Sequence, residues 1–342
     1  MPSIRLAFMG FRHGHIFALY DLARLHSEVE IVAGCEEDAE TRQSLAGTNY
    51  AVTHDDYARM LDEVPCDAVA VGEYYGKRGA VIIEALRRGK HVISDKPICT
   101  SLEEYETIVQ LSREKGLAVG CQLDLRENPA MIGLRNAVRE GLIGEVVAVS
   151  FTGQHPLKYK SGRPDWYFEE GKHGGTINDI AIHAIDYLPW VTGHNFARIN
   201  AARGWNARLP QAPGFQDGGQ MMLTLKNGAG VLGDVSYFAP DSFNYAVPQY
   251  WRLTFWGTEG VLEGGLNVPL VLHRNGETEP RTLPLPEPTP GAYLHSFIKE
   301  VRGETEGVTL STIDVLEAAR VTLLIQREAD KAFQGAASAE IL

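Results

Sequence analysis

Ile4-Arg5-Leu6-Ala7-Phe8-Met9-Gly10-Phe11-Arg12-His13-Gly14-His15 is the stretch whose reading decides the fold. A short apolar run stops at a glycine and gives way at once to a helical pattern over His15–Leu25. A strand that passes through a glycine turn into a helix leaves backbone N–H groups free at the helix start, the usual seat of a dinucleotide's pyrophosphate. Here the turn keeps only the first glycine of G-x-G-x-x-G, with Arg12 at the second glycine position and His15 at the third. Gly10 and Phe11 are therefore expected to line the seat, and Arg12 or His13 to supply charge where close backbone approach is lost.

The same rhythm continues outward from this unit. Strands are expected at Glu30–Cys35, Ala68–Val71, His91–Ser94 and Ala118–Gln122, alternating with helices at Ala39–Leu45, Tyr57–Leu61, Arg78–Arg88 and Leu102–Lys115. Strand-helix alternation at this spacing specifies a doubly wound parallel sheet covered on both faces, with its ligand crevice at the carboxyl ends of the strands. After Gln122 the pattern changes. A helix over Pro129–Glu140, a strand over Glu145–Gly153, a loop to Lys172 and a helix over Thr176–Val191 are followed by strand-like runs to about Leu285. Lys226-Asn227-Gly228 and Arg274-Asn275-Gly276 carry hairpin-turn chemistry, so the second half reads as an α+β domain with a large, mostly antiparallel open sheet. The expected division is residues 1–122 and 123–342, with the C-terminal helices Ala292–Val301 and Ile313–Phe333 in the second domain.

Composition excludes several partners. The chain has 342 residues, enough for two cores, and a formal charge of −12, which repels nucleic acid and anionic membranes. The N-terminal apolar run ends at Gly10 and reads as a strand rather than a leader, and no uninterrupted apolar run reaches membrane length. Cys35, Cys66, Cys99 and Cys121 form no C-x-x-C pair and read as buried small hydrophobes. A cytoplasmic protein is expected.

Three further pieces carry chemistry. Glu36 follows the second strand, 26 residues after Gly10, near the offset of about 20 at which a carboxylate receives a ribose. With Glu37 beside it a 2′-phosphate is disfavoured, so NAD is expected over NADP. Ser94-Asp95-Lys96-Pro97 ends the fourth strand and points a lysine into the crevice. In Gly174-Gly175-Thr176-Ile177-Asn178-Asp179-Ile180-Ala181-Ile182-His183, Asp179 and His183 stand four residues apart, on one face of an α-helix. A carboxylate beside an imidazole can move a proton near neutral pH. The plain alternative is a polar stripe on a partly buried helix.

Taken together, the glycine turn with Glu36, Asp95-Lys96-Pro97, Gly141-Leu142-Ile143-Gly144 and Gly174-Gly175 leading to Asp179-x-x-x-His183-x-x-Asp186 resemble the Gfo/Idh/MocA family of NAD(P)-dependent oxidoreductases over nearly the whole chain. The resemblance implies an N-terminal Rossmann-like domain and hydride transfer at a CH–OH group of a sugar, inositol or polyol. It implies Lys96 polarising the reacting oxygen, His183 as general base, and Asp179 holding a neighbouring hydroxyl or tuning His183. Asp95, Lys96 and Gln122 would then face the cofactor. The chain departs from the family pattern at Gly72-Glu73-Tyr74-Tyr75-Gly76-Lys77, where Glu73 brings negative charge to the cofactor, and at Gly120–Arg126, where at best Arg126 is retained.

The loop Tyr159–Tyr167, with Lys172 and His173, precedes the catalytic helix. Trp166 and Tyr167 are expected to stack on a polyhydroxylated ring or else to anchor the loop, and Arg126, Lys172 and His173 to join the substrate site. Lys160, Arg163 and Lys172 leave room for an anionic sugar. Two rival readings stay open: metal-assisted chemistry on His155, His173, Asp179 and His183, and a non-catalytic homologue that binds a dinucleotide or sugar. A sheet covered on one face only predicts a homodimer or homotetramer.

Overall fold

A computed structural model describes residues 2–334. The first half builds a five-stranded parallel sheet in the order β2-β1-β3-β4-β5, from β1 (Ile4–Met9), β2 (Val29–Cys35), β3 (Ala68–Val71), β4 (His91–Ser94) and β5 (Val119–Cys121). Its helices are α1 (His15–Leu25), α2 (Ala39–Leu45), α3 (Tyr57–Glu63), α4 (Tyr75–Arg87) and α5 (Leu102–Lys115). Strand order reverses between β1 and β3, so the crevice opens where Gly10 leaves β1 and Gly72 leaves β3. The expected strands and helices form with ends displaced by no more than a few residues. Their caps show why: Ser101 accepts from the Glu104 N–H at the start of α5, and Gly116 closes that helix at φ +62.

The second half carries α6 (Pro129–Arg139), β6 (Val146–Pro156), α7 (Ile182–Thr192), β7 (Phe196–Trp205), β8 (Gly218–Leu225), β9 (Gly230–Ala239), β10 (Arg252–Gly257), β11 (Gly260–Gly265), β12 (Val268–Arg274) and the short β13 (Arg281–Thr282). These strands make one eight-stranded sheet ordered β13-β12-β11-β10-β6-β9-β8-β7, antiparallel except for the β6/β9 pair. Register explains its sidedness. Leu272, Leu262, Phe255, Val149, Val231 and Leu223 sit opposite one another across six strands and are all buried. The alternate row, Thr254, Ser150, Leu232, Met222 and Ala201, lies on the other face, where Leu232 and Met222 are exposed.

One expectation is corrected. The C-terminal helices α8 (Ala292–Val301) and α9 (Thr312–Phe333) do not belong to the second sheet alone. Tyr293, Leu294, Phe297, Val315 and Ala319 enter the core of the first sheet, while Val321, Ile325 and Ala329 of α9 enter that of the second. The physical reason is the edge at β5: a five-stranded sheet leaves apolar surface there, and Phe297 covers it closely enough that a methyl on Gly120 would meet the ring at 2.9 Å.

A second junction lies at Gly76. Its N–H donates to Lys172 O at 2.9 Å, and a Cβ there would sit 2.1 Å from the backbone oxygen of Gly171. Gly76→Ala is expected to cost about 1–3 kcal/mol in urea unfolding by overpacking this seam. Gly14→Ala, in open space at φ −60, is expected to change stability by less than about 1 kcal/mol. Equal effects would contradict the account of the seam.

Candidate active site

Lys96 leaves the carboxyl end of β4 and crosses to the second half of the chain. Its Nζ donates to the Asp179 carbonyl at 2.9 Å and to Asp179 Oδ1 at 2.5 Å, with both side chains buried. Asp179 also receives Tyr75 OH at 2.8 Å on Oδ1, Tyr237 OH on Oδ2, and the His173 ring at 3.5 Å. Burial opposes a charge on this carboxyl, yet Lys96, His173 and Arg163 hold it well below the usual carboxylate range.

The pair that the α-helical spacing placed side by side is not a pair. Residues Ile177–Ala181 form a π-turn, wider than an α-turn, so residues four apart no longer stack. Asp179 faces Lys96 and the tyrosines, whereas the carboxylate nearest His183 is Asp124, with Oδ1 3.8 Å from Nδ1. His183 packs its ring against Trp251, and its buried Nδ1 has no hydrogen-bond partner. Burial first, then Lys96, His15 and His155, push the His183 pKa well below the ordinary imidazole value. The ring is neutral at neutral pH.

Both residues nevertheless line one cavity of about 600 Å³, with Lys96, His13, His15, Asp124, His155, Arg163, Tyr167, Tyr250 and Trp251 among its walls. Trp251 stands in the left-handed region at φ +53, a conformation that surrounding structure must enforce. Asp124, Arg163, Tyr250 and Trp251 carried no motif. They come from three segments, the turn after β5, the loop after β6 and the loop before β10, that only the fold brings together, and of the four only Arg163 was expected near the substrate.

At the glycine turn the expected cofactor residues have internal partners. The Phe11 N–H donates to Glu36 Oε2 at 2.6 Å, the Asp38 N–H to Glu36 Oε1 at 2.8 Å, and the Arg12 N–H to Gly72 O at 2.9 Å. Glu36 is fully buried and braces the turn through both of its oxygens. Glu73, also buried, accepts from Tyr57 OH and Lys77. Asp95 is buried between His13, His15 and Arg78, and Gln122 is buried too, with no partner for its side-chain oxygen. Across the crevice mouth, Trp166 Nε1 donates to Arg12 O at 3.0 Å, and the Tyr75 and Tyr167 hydroxyls meet at 2.6 Å beside His13 Nε2. Burial outweighs Asp95 at His13 and lowers its pKa to about 4. The N–H groups of Phe11 and Arg12 are thus taken by the protein itself, and Tyr75, Trp166 and Tyr167 lie across the crevice mouth.

The expected substrate residues separate. Tyr167 lines the cavity, while Trp166 is a buried anchor of the loop on the glycine turn. Arg126 makes a two-pronged pair with Asp186 at 2.7 and 2.5 Å and faces a different cavity with Trp190. The family-like retention of Arg126 therefore marks a structural ion pair. Lys172 pairs with Glu169 at 2.5 Å, and His173 turns to Tyr237 OH at 3.0 Å. His155, His173, Asp179 and His183 do not gather as a metal set. Among the described residues, the groups of three donors lying within 4.8 Å of one another are His13, His15, Asp95 and His26, Glu28, His295.

Two family models match. Residues 4–123 match "Oxidoreductase family, NAD-binding Rossmann fold", and residues 131–263 match "GFO/IDH/MocA C-terminal domain". Levoglucosan dehydrogenase of Pseudarthrobacter phenanthrenivorans is 27% identical over 186 residues, 53% of this chain and 46% of that protein. The chain thus spans about half the length of that relative. Inositol 2-dehydrogenase/D-chiro-inositol 3-dehydrogenase of Lactiplantibacillus plantarum is 22% identical over 76% of this chain and 69% of its own. The WlbA dehydrogenase of Bordetella pertussis, solved with NADH and UDP-GlcNAcA, superposes with a TM-score of 0.76 at 22% identity over 96% of this chain and 97% of that one, a likeness of fold. With both halves matched in order and the parallel and open sheets in place, the chain belongs to the Gfo/Idh/MocA oxidoreductase family.

Proposed function

We propose that this chain modifies a sugar, inositol or related polyol at a secondary alcohol or ketone, with Lys96 and His183 handling the proton of the reacting oxygen. One observation carries the reading: Lys96, delivered by the first sheet, is tied to Asp179 of the second at a cavity that His183 also lines. Lys96 spends two N–H groups on Asp179 and keeps a third for a ligand oxygen. His183 is neutral and so able to accept a proton. Aromatic Tyr250 and Trp251 suit the CH face of a ring, while Asp124 and Arg163 suit its hydroxyls. The names of the relatives support the same substrate class.

Hydride exchange with NAD(H) is the redox reading that the family match supports. A second reading, favoured by Tyr75, Trp166 and Tyr167 across the crevice mouth, is proton transfer on a sugar without a bound dinucleotide. An NADH fluorescence titration separates them. Saturable binding supports the first, and its absence alongside deuterium exchange of a keto sugar in heavy water supports the second. The four free, buried cysteines support a reducing, cytoplasmic setting. The outer row of the large sheet, with Leu232 and Met222 exposed, supports pairing of that face with a second copy.

Three measurements check these readings. Lys96→Met and His183→Ala are each expected to lower kcat by about 10²–10⁴ in whichever assay reports turnover, with the fold retained by circular dichroism; full activity in either sinks the assigned roles. The acid limb of the rate profile is expected below the ordinary imidazole value of 6.5, because burial, Lys96, His15 and His155 oppose protonation of His183 while Asp179 and Asp124 favour it. Removing the Lys96 charge raises the His183 pKa, so the limb moves to higher pH in whatever activity Lys96→Met retains; an unmoved limb assigns it to another group. Leu232→Asp is expected to convert a dimer or tetramer into a monomer by light scattering, and a wild-type monomer would refute the pairing.

A further inference from the structure

We propose that His13, His15 and Asp95 form a binding site for a borderline divalent cation of the zinc type at the wall of the cavity. Asp95 is fully buried and presents one oxygen to each imidazole: Oδ2 to His13 Nδ1, and Oδ1 to His15 Nδ1 at 3.2 Å. The donor atoms of all three residues lie within 4.8 Å of one another. Tetrahedral coordination at about 2.0–2.2 Å places ligand atoms roughly 3–4 Å apart, so a small movement of the His15 ring admits one cation. Two imidazoles and one carboxylate suit Zn²⁺, Co²⁺ or Fe²⁺ better than Ca²⁺ or Mg²⁺, which prefer oxygen.

The surroundings complete the ligand set. For His13 to bind through Nδ1, its Nε2 must carry the proton. The hydroxyl oxygens of Tyr167 and Tyr75 stand ready to accept it at 3.0 and 3.2 Å; Tyr167 then donates to Tyr75, and Tyr75 to Asp179 Oδ1. Arg78 donates to Asp95 Oδ2 at 3.2 Å and fixes the carboxylate. Partners of this kind orient metal ligands. A second observation points to a ligand: His183, nine-tenths buried, lines the same cavity with its Nδ1 unpartnered. Three protein donors leave coordination positions open, and both His13 and His15 border the cavity. The positions themselves argue the same way. His15 stands where the dinucleotide turn has its third glycine, and the residue found there instead is one that supplies a donor atom.

The inference does not rest on the carbohydrate reading, since cation binding is measured without substrate. Full-length protein stripped with chelator would be titrated with ZnCl₂ by calorimetry, and with CoCl₂ by visible absorption, which reports imidazole coordination. One cation per chain is expected. His15→Ala, a change at a partly exposed ring, is expected to weaken binding about tenfold or more with an unchanged thermal melt. His295→Ala, in the other three-donor group, is expected to leave binding intact. Absence of stoichiometric uptake, equal uptake by wild type and His15→Ala, or loss of uptake only in His295→Ala would each overturn the proposal.

Discussion

The ion pair between Lys96 and Asp179 is the constraint from which the site follows. Two charges removed from water cost several kcal/mol each unless their remaining bonding capacity is met. Here Tyr75, Tyr237 and His173 meet that of the carboxylate, and the Asp179 carbonyl accepts a hydrogen bond from the ammonium. The tyrosines come from the two sheets' separate elements, Tyr75 from α4 and Tyr237 from β9. Each half of the chain therefore supplies part of the other's charge compensation, and the cavity exists only where the halves meet.

A parallel sheet with its order reversing at β1 and β3 opens a mouth for a dinucleotide. In this chain the mouth is crossed by a chain of hydroxyls and rings, from Asp179 through Tyr75 and Tyr167 to His13 and Asp95. Trp166 locks that chain to the Arg12 carbonyl. Topology is that of the family, and the mouth of this chain is lined by phenols, imidazoles and a buried carboxylate.

Much of the fold was legible along the chain because strand and helix periods, caps and glycine turns are local. Ser101, Gly116 and the apolar runs of β1 and β3 announce themselves within a few residues. Legibility failed where the outcome depends on distant partners. Asp179 and His183 were expected on one face of an α-helix, and a π-turn turns Asp179 to Lys96 instead, although both still line one cavity. Arg126 was expected at the substrate and is held by Asp186 on α7. Tyr75 and Tyr237 carried no motif, although the unusual Tyr74-Tyr75 after β3 was a signal that the turn had changed.

The amino-acid sequence by itself determined the two sheets, their order of appearance, the family and the arrival of Lys96, Asp179 and His183 at one end of the strands. The sheets follow because periodicity and turn chemistry act over a handful of residues, while the family and the meeting of Lys96, Asp179 and His183 follow from the resemblance of their motifs. Only the tertiary structure decided which of these groups are partners, that Glu36 braces its own turn, and that His13, His15 and Asp95 converge. Partnership of that kind is set by burial and by donor-acceptor satisfaction between segments far apart in the chain, where sequence spacing carries no information.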